Sequence, residues 1–233
     1  MKKPLLIIAL GIMVWYGAQV VYDIKLSGDT IETTGSAKEA VVADTGRLVI
    51  SLDTKTGLGD QEAGAKRLET AVANITNYLT ENQLTDFETP AGSSNATYIY
   101  PDQSEPIMTG YQVTRSVVVR SSEVAALSSL ANNSAPLAGT GYTVSTQGLE
   151  LTYSKLDEMR VKLLTAAIKD ATNRAEAIAS NSGRTVGLLR NAVGGVVQVL
   201  PQGGVDISDY GSYDTQSLNK EVMVTVRVTF GLE

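Results

Sequence analysis

The strongest hydrophobic pattern closes the chain. Val222, Val224, Val226, Val228 and Phe230 alternate with Met223, Thr225, Arg227 and Thr229, the period of two expected of a half-buried strand. A second alternating run covers 44–56, with Leu48, Ile50 and Leu52 on one face and Arg47, Val49, Ser51 and Asp53 on the other. A third covers 111–120, where Tyr111, Val113, Val117 and Val119 share a face. Further extended segments are predicted at 31–36, 148–153 and 186–200, the last with Gly194 and Gly195 marking a bulge or kink. Residues 86–100 read as extended but are interrupted by Pro90, Gly92 and two serines, and 101–110 read as a loop.

Between these strands the apolar spacing changes to that of helices. After the glycines of 57–59, Leu68, Ala71, Val72, Ile75 and Leu79 recur at steps of three and four, which predicts a helix of about five or six turns. Asp60 stands where a cap is needed and Asn82 where the helix stops. A short helix is predicted at 122–130, followed by a loop over 132–141. The longest helix follows Ser154 and Asp157, which have capping-box spacing. Its predicted apolar stripe is Val161, Leu164, Ile168, Ala171, Ala175 and Ile178, and Gly183 suits the left-handed position just past its end. Residues 201–217 form a polar loop before the last strand. The resulting order, β-β-α-β-β-α-β-α-β-β, predicts an α+β fold of mostly antiparallel sheets with interleaved helices. The halves 27–120 and 121–233 share a loose element order and no sequence repeat.

The N-terminus has a different character. Met1-Lys2-Lys3-Pro4 precedes an uncharged run over 5–21, and Asp23 follows it. As a helix that run is about 26 Å long, at the short end of what spans a bilayer. A cleaved signal has a shorter apolar core of about 7–15 residues. Gly17-Ala18-Gln19 supplies small residues but no clean A-x-A site. The length favours an uncleaved anchor over a cleaved signal. Lys2 and Lys3 then place the N-terminus in the cytoplasm and everything after Asp23 outside it, with residues 4–22 in the bilayer. Trp15, Tyr16 and Tyr22 suit the far interface. The expected organisation is an anchor over 1–24 and an extracytoplasmic domain over 25–233.

The C-terminal region also carries a resemblance. Gly148-Leu149-Glu150-Leu151-Thr152-Tyr153 leads into a helix containing Ala171-Thr172-Asn173-Arg174-Ala175-Glu176-Ala177-Ile178-Ala179. Gly183, Gly187 and Leu188 follow, and the chain closes with the alternating run 222–230. Near the front, Thr34-Gly35-Ser36-Ala37 and Ala43-Asp44 match an opening "GxA…ADxA" strand pair, with Gly46 departing from it. Together these resemble the SIMPL-domain (DUF541) family, in particular its N-terminally anchored bacterial members, over about residues 30–233. The resemblance implies a secreted or membrane-anchored envelope protein. It also implies ring- or channel-like self-assembly in some members and a link to oxidative-stress tolerance in others. It implies no catalytic residues.

Composition narrows the chemistry. The chain has neither Cys nor His, which excludes disulfides, thiol nucleophiles, Ser–His–Asp triads and ordinary zinc sites. Net charge is −6; setting aside Lys2 and Lys3 leaves 17 basic against 25 acidic side chains, a charge of −8. A body so acidic, without a basic stripe, is not expected to bind nucleic acid. Asp206, Asp209 and Asp214 share the 201–217 loop but lack calcium-loop spacing. Tyr210 and Tyr213 in that loop could pack on a neighbouring subunit or on the domain's own edge. Gly194-Gly195 has no phosphate-loop context, and Ser121, Ser122 and Lys155 form no S-x-x-K motif. The sequons at Asn74, Asn95 and Asn132 are short chance patterns. No catalytic, metal or cofactor site is expected. The expected function is that of a non-enzymatic, anchored envelope protein that forms a homo-oligomer. The alternative is a binding module for a small envelope solute or another envelope protein.

Overall fold

The computed structural model describes residues 12–17, 29–102, 105–204 and 210–233. Residues 12–17 are helical; the rest of the expected anchor lies outside the described residues. No helix among the described residues is long and apolar enough to cross a membrane. The remainder is α+β, with antiparallel sheets and interleaved helices. Its compact units are interleaved along the chain: one holds the described residues of 1–40, 155–213 and 221–233, the other 41–154 and 214–220.

The second unit is built on a five-stranded sheet. Its strands are β2 (Thr45–Thr56), β3 (Asp86–Glu88), β4 (Ser93–Ile99), β5 (Ile107–Ser121) and β6 (Thr143–Thr152). The order is β3-β5-β2-β6, with β4 also paired to β5, and all four pairings are antiparallel. Helices α1 (Gln61–Glu81) and α2 (Val124–Asn132) belong to this unit. Leu48, Ile50 and Leu52 from β2 and Val113, Val117 and Val119 from β5 form one core with Leu68, Val72, Ile75 and Leu79 of α1 and Leu127 of α2. Both alternation patterns thus face the predicted way, because a period of two must send one set of side chains to one face. Residues 86–100 form two strands rather than one. Pro90 has no N–H to continue a ladder, and it falls between β3 and β4. Strand β5 begins at Ile107, inside the predicted loop at 101–110, and β6 begins at Thr143, ahead of the strand predicted at 148–153.

The first unit pairs β1 (Thr30–Val42), β8 (Asn219–Leu232) and β7 (Val186–Pro201) in the order β1-β8-β7, with helix α3 (Leu156–Asn181). Cross-strand ion pairs Lys38–Glu221 and Arg227–Glu32 show that β1 and β8 run antiparallel. Reciprocal bonds between Thr185 and Glu233 do the same at the start of β7. Val226, Val228 and Phe230 pack with Ala167, Ala171 and Ala175.

Two expectations about α3 are corrected. Its buried line is Met159, Leu163, Ala167, Ala171, Ala175 and Ala179, while Val161 and Ile178 are 67% and 55% exposed. The cause is Gly35 of β1. A Cβ there would overlap the Ala167 carbonyl oxygen and lie 2.8 Å from the Ala171 Cβ. Backbones this close admit only alanine between them, so the larger side chains flank the contact. The capping box does not form either. Ser154 donates its N–H and Oγ–H to Asp44 at 2.7 and 2.8 Å, and α3 is capped at Lys155 without a side-chain bond. Asp60 likewise occupies the cap position of α1 but makes no side-chain cap bond.

Candidate functional site

The feature that stands out is the outer edge of β7. Its partner β8 buries Val222, Val224, Val226 and Val228 and so anchors one side of β7 firmly. The other side has no strand neighbour among the described residues, apart from a single bridge between Val199 and Tyr213. All nine residues of 188–196 are exposed, and Leu188 is 75% exposed. Successive strand residues point to opposite faces, so Leu188 and Leu189 expose apolar groups on both sides of the sheet. Arg190 is the one charge in β7. Soluble proteins usually guard such an edge with charges, proline or a covering loop. Here β1, the opposite edge of the same sheet, carries Glu32, Lys38 and Glu39. Gly194 and Gly195, read as a bulge or kink, lie inside β7. At Gly195 a side chain would strike Thr225 of β8, so glycine there serves close strand packing.

The described part of the 201–217 loop is only partly solvated. Asp206 and Asp209 lie outside the described residues. Asp214 receives backbone N–H bonds from Gln216 at 3.0 Å and Ser217 at 3.2 Å, and its Oδ2 lies 3.2 Å from the ammonium of Lys220. Burial pushes the Asp214 carboxyl up, but bonds from Gln216, Ser217 and Lys220 outweigh it and hold it below its ordinary value. Lys220 is wholly buried. The sequence reading missed this pair, although a signal existed: Lys220 continues the inward register of Val222, Val224 and Val226.

A cleft of about 650 Å³ in the second unit is lined by Asp53, Lys55, Arg67, Gln112, Tyr142 and neighbours. Arg67 Nη1 donates to Thr54 Oγ1 at 3.1 Å. Asp53 Oδ1 accepts from Thr114 at 2.6 Å and Gln112 at 3.2 Å, so its carboxylate is engaged in positioning the sheet face. Ser121 Oγ accepts the Glu123 N–H at 3.0 Å, and Lys155 sits at the start of α3. Among the described residues no three acidic groups gather as a metal site. Asn74 lies in α1, Asn95 in β4 and Asn132 at the end of α2.

No curated protein matches this chain. Similar crystal structures include a protein from methicillin-resistant Staphylococcus aureus named for an unproven aminohydrolase activity, at 15% identity over 60% of this chain and 39% of that one, TM-score 0.26. This chain therefore spans about two fifths of that protein's length. An uncharacterized conserved protein from Listeria innocua is 10% identical over 81% of this chain and 91% of its own, TM-score 0.23. A hydrolase from Listeria innocua is 8% identical over 84% and 91%, TM-score 0.21. Scores so low carry no argument about fold, activity or substrate. The model of SIMPL, described as a protein of unknown function (DUF541), matches residues 31–230, and the chain belongs to that family.

Proposed function

We propose that this SIMPL protein is a non-enzymatic envelope protein, anchored in the membrane by its N-terminal segment, that assembles with copies of itself through the β7 edge. The observation that carries the reading is the exposed, nearly uncharged stretch 188–196 at the end of a sheet. Strand backbone with no strand neighbour among the described residues, beside apolar side chains, favours strand addition. Tethering of copies to one membrane raises their effective concentration, so a contact of modest strength suffices. Light scattering of the full-length protein in mild detergent tests it. A particle of several protomer masses is expected, and a protomer mass overturns the reading.

A second reading, a solute-binding module, draws on the Arg67 cleft. Its volume lies in the range of small-molecule sites. Arg67 has no carboxylate partner among the described residues, unlike Arg47 and Arg120, which pair with Glu150 and Glu88.

A further inference from the structure

The second unit has an unguarded edge of its own. Strand β4 carries no charge, and every residue in it except Thr97 is exposed. Its sheet neighbours on the outer positions are guarded: β3 has Asp86 and Glu88, and β6 has Glu150 and gives its Leu151 N–H to the Thr215 carbonyl at 2.6 Å. The last pair between β2 and β5 is Thr56 with Tyr111. Beyond it, Thr97, Tyr98 and Ile99 pair only with Gly110, Met108 and Ile107 of β5. That part of the hairpin is a two-stranded ribbon with exposed Tyr98, Ile99, Tyr100 and Ile107. A two-stranded ribbon is marginal in water without a third strand or a packed face. Thus, among the described residues, β4 in one unit and β7 in the other, apart from its Val199–Tyr213 bridge, are edges with little charge and no strand neighbour.

We propose that they meet: β4 of one copy adds to β7 of a second copy, antiparallel. The proposal rests on the self-assembly reading and names the surface that β7 receives. Length supports it, since the seven residues of β4 fit within the nine exposed residues of 188–196. Charge sets the direction. Asp102 and Glu105 lie just past the end of the β4 ribbon, and Arg190 is the charge of β7. Antiparallel pairing that sets Ile99 opposite Arg190 and Ser93 opposite Val196 brings those acids to the Arg190 end. Parallel pairing carries them away from it. The contact sets Tyr98 diagonal to Leu189 and Val193 on one face of the joined sheet and Ile99 diagonal to Leu188 on the other. Pairing of β7 with itself would leave β4 open, whereas this contact closes both edges at once. Because the two surfaces differ, one such contact leaves a β4 and a β7 free to take further copies, so the contact closes as a ring or continues as a filament.

Two full-length double variants test it in detergent, read by light scattering. Tyr98→Lys with Ile99→Lys charges the β4 edge, and Leu189→Lys with Val193→Lys charges the β7 edge. All four positions are exposed, so each variant should melt like wild type. Each alone is expected at protomer mass. An equimolar mixture is expected at twice that mass, because one copy keeps an intact β7 and the other an intact β4. If the β4 variant assembles like wild type while the β7 variant does not, β7 pairs with itself; the proposal falls and the self-assembly reading stands. Two variants that both assemble like wild type overturn the role of these edges altogether. Wild type at protomer mass overturns the proposal and the reading beneath it.

Discussion

The ammonium of Lys220, with no solvent exposure, lies 2.6 Å from the backbone oxygen of Asp214 and 3.2 Å from its carboxylate. The partners lie six positions apart, so the contact closes the end of the 201–217 loop onto the start of β8. Removing one partner of a buried pair strands the other charge, at a cost of about 3–5 kcal/mol. Asp214→Ala is expected to lose that much. Lys220→Met should lose less, since Asp214 keeps its bonds from Gln216 and Ser217. Denaturant titration of both variants measures the difference, and equal losses would contradict the asymmetry.

The same pair predicts an acid limit. The Asp214 carboxyl is held below its ordinary value of 3.8, so the unfolded chain binds the proton more readily than the folded one. Its stabilisation is present above that value and declines as pH falls through the folded pKa. The stability gap between wild type and Asp214→Asn should therefore be constant near neutrality and shrink below about pH 4. A gap that does not change with acidification refutes the assignment.

Gly35 of β1 lies against Ala167 and Ala171 of α3 with no room for a side chain between them. Thr33 Oγ1 donates to the Ala171 carbonyl at 2.9 Å, and Asp170 accepts the Ser36 N–H at 2.9 Å, so strand and helix cannot part to admit a side chain. Gly35→Val is expected to cost about 1–3 kcal/mol or more by overpacking. Ala171→Glu, which buries an unpaired charge, should cost several kcal/mol. Thermal melts within a degree or two of wild type would show that this contact is not formed.

Val161 and Ile178 supply the contrasting case on the same helix. Both are exposed, so Val161→Lys and Ile178→Lys should change stability by no more than about 0.5 kcal/mol. A large loss at either would place that face against a surface.

The proposed anchor predicts that membrane-extracted protein retains its N-terminus. Intact-mass measurement should show the uncleaved chain, and a mature N-terminus near residue 19 would remove the anchor.

The local patterns of the sequence determined the element types, because a period of two or of 3.6 is enough to say which side chains must leave water. Leu48, Ile50 and Leu52, the valines of β8 and the α1 stripe all face where their spacing places them. The absence of Cys and His likewise settled which chemistries the chain lacks. Only the tertiary structure decided which face of α3 is buried, since Ala171 and Val161 both fit a helical period. It was the close approach of Gly35, 132 to 136 positions earlier than its partners in the chain, that selected the alanines. The Asp214–Lys220 pair also needed the fold, for a carboxylate in a polar loop reads as solvated until a buried cation is shown beneath it. The open edges of β4 and β7 were equally invisible: a strand's sequence specifies its own two faces, while its neighbours are set by distant segments competing for its backbone. Strand order left these two at the ends.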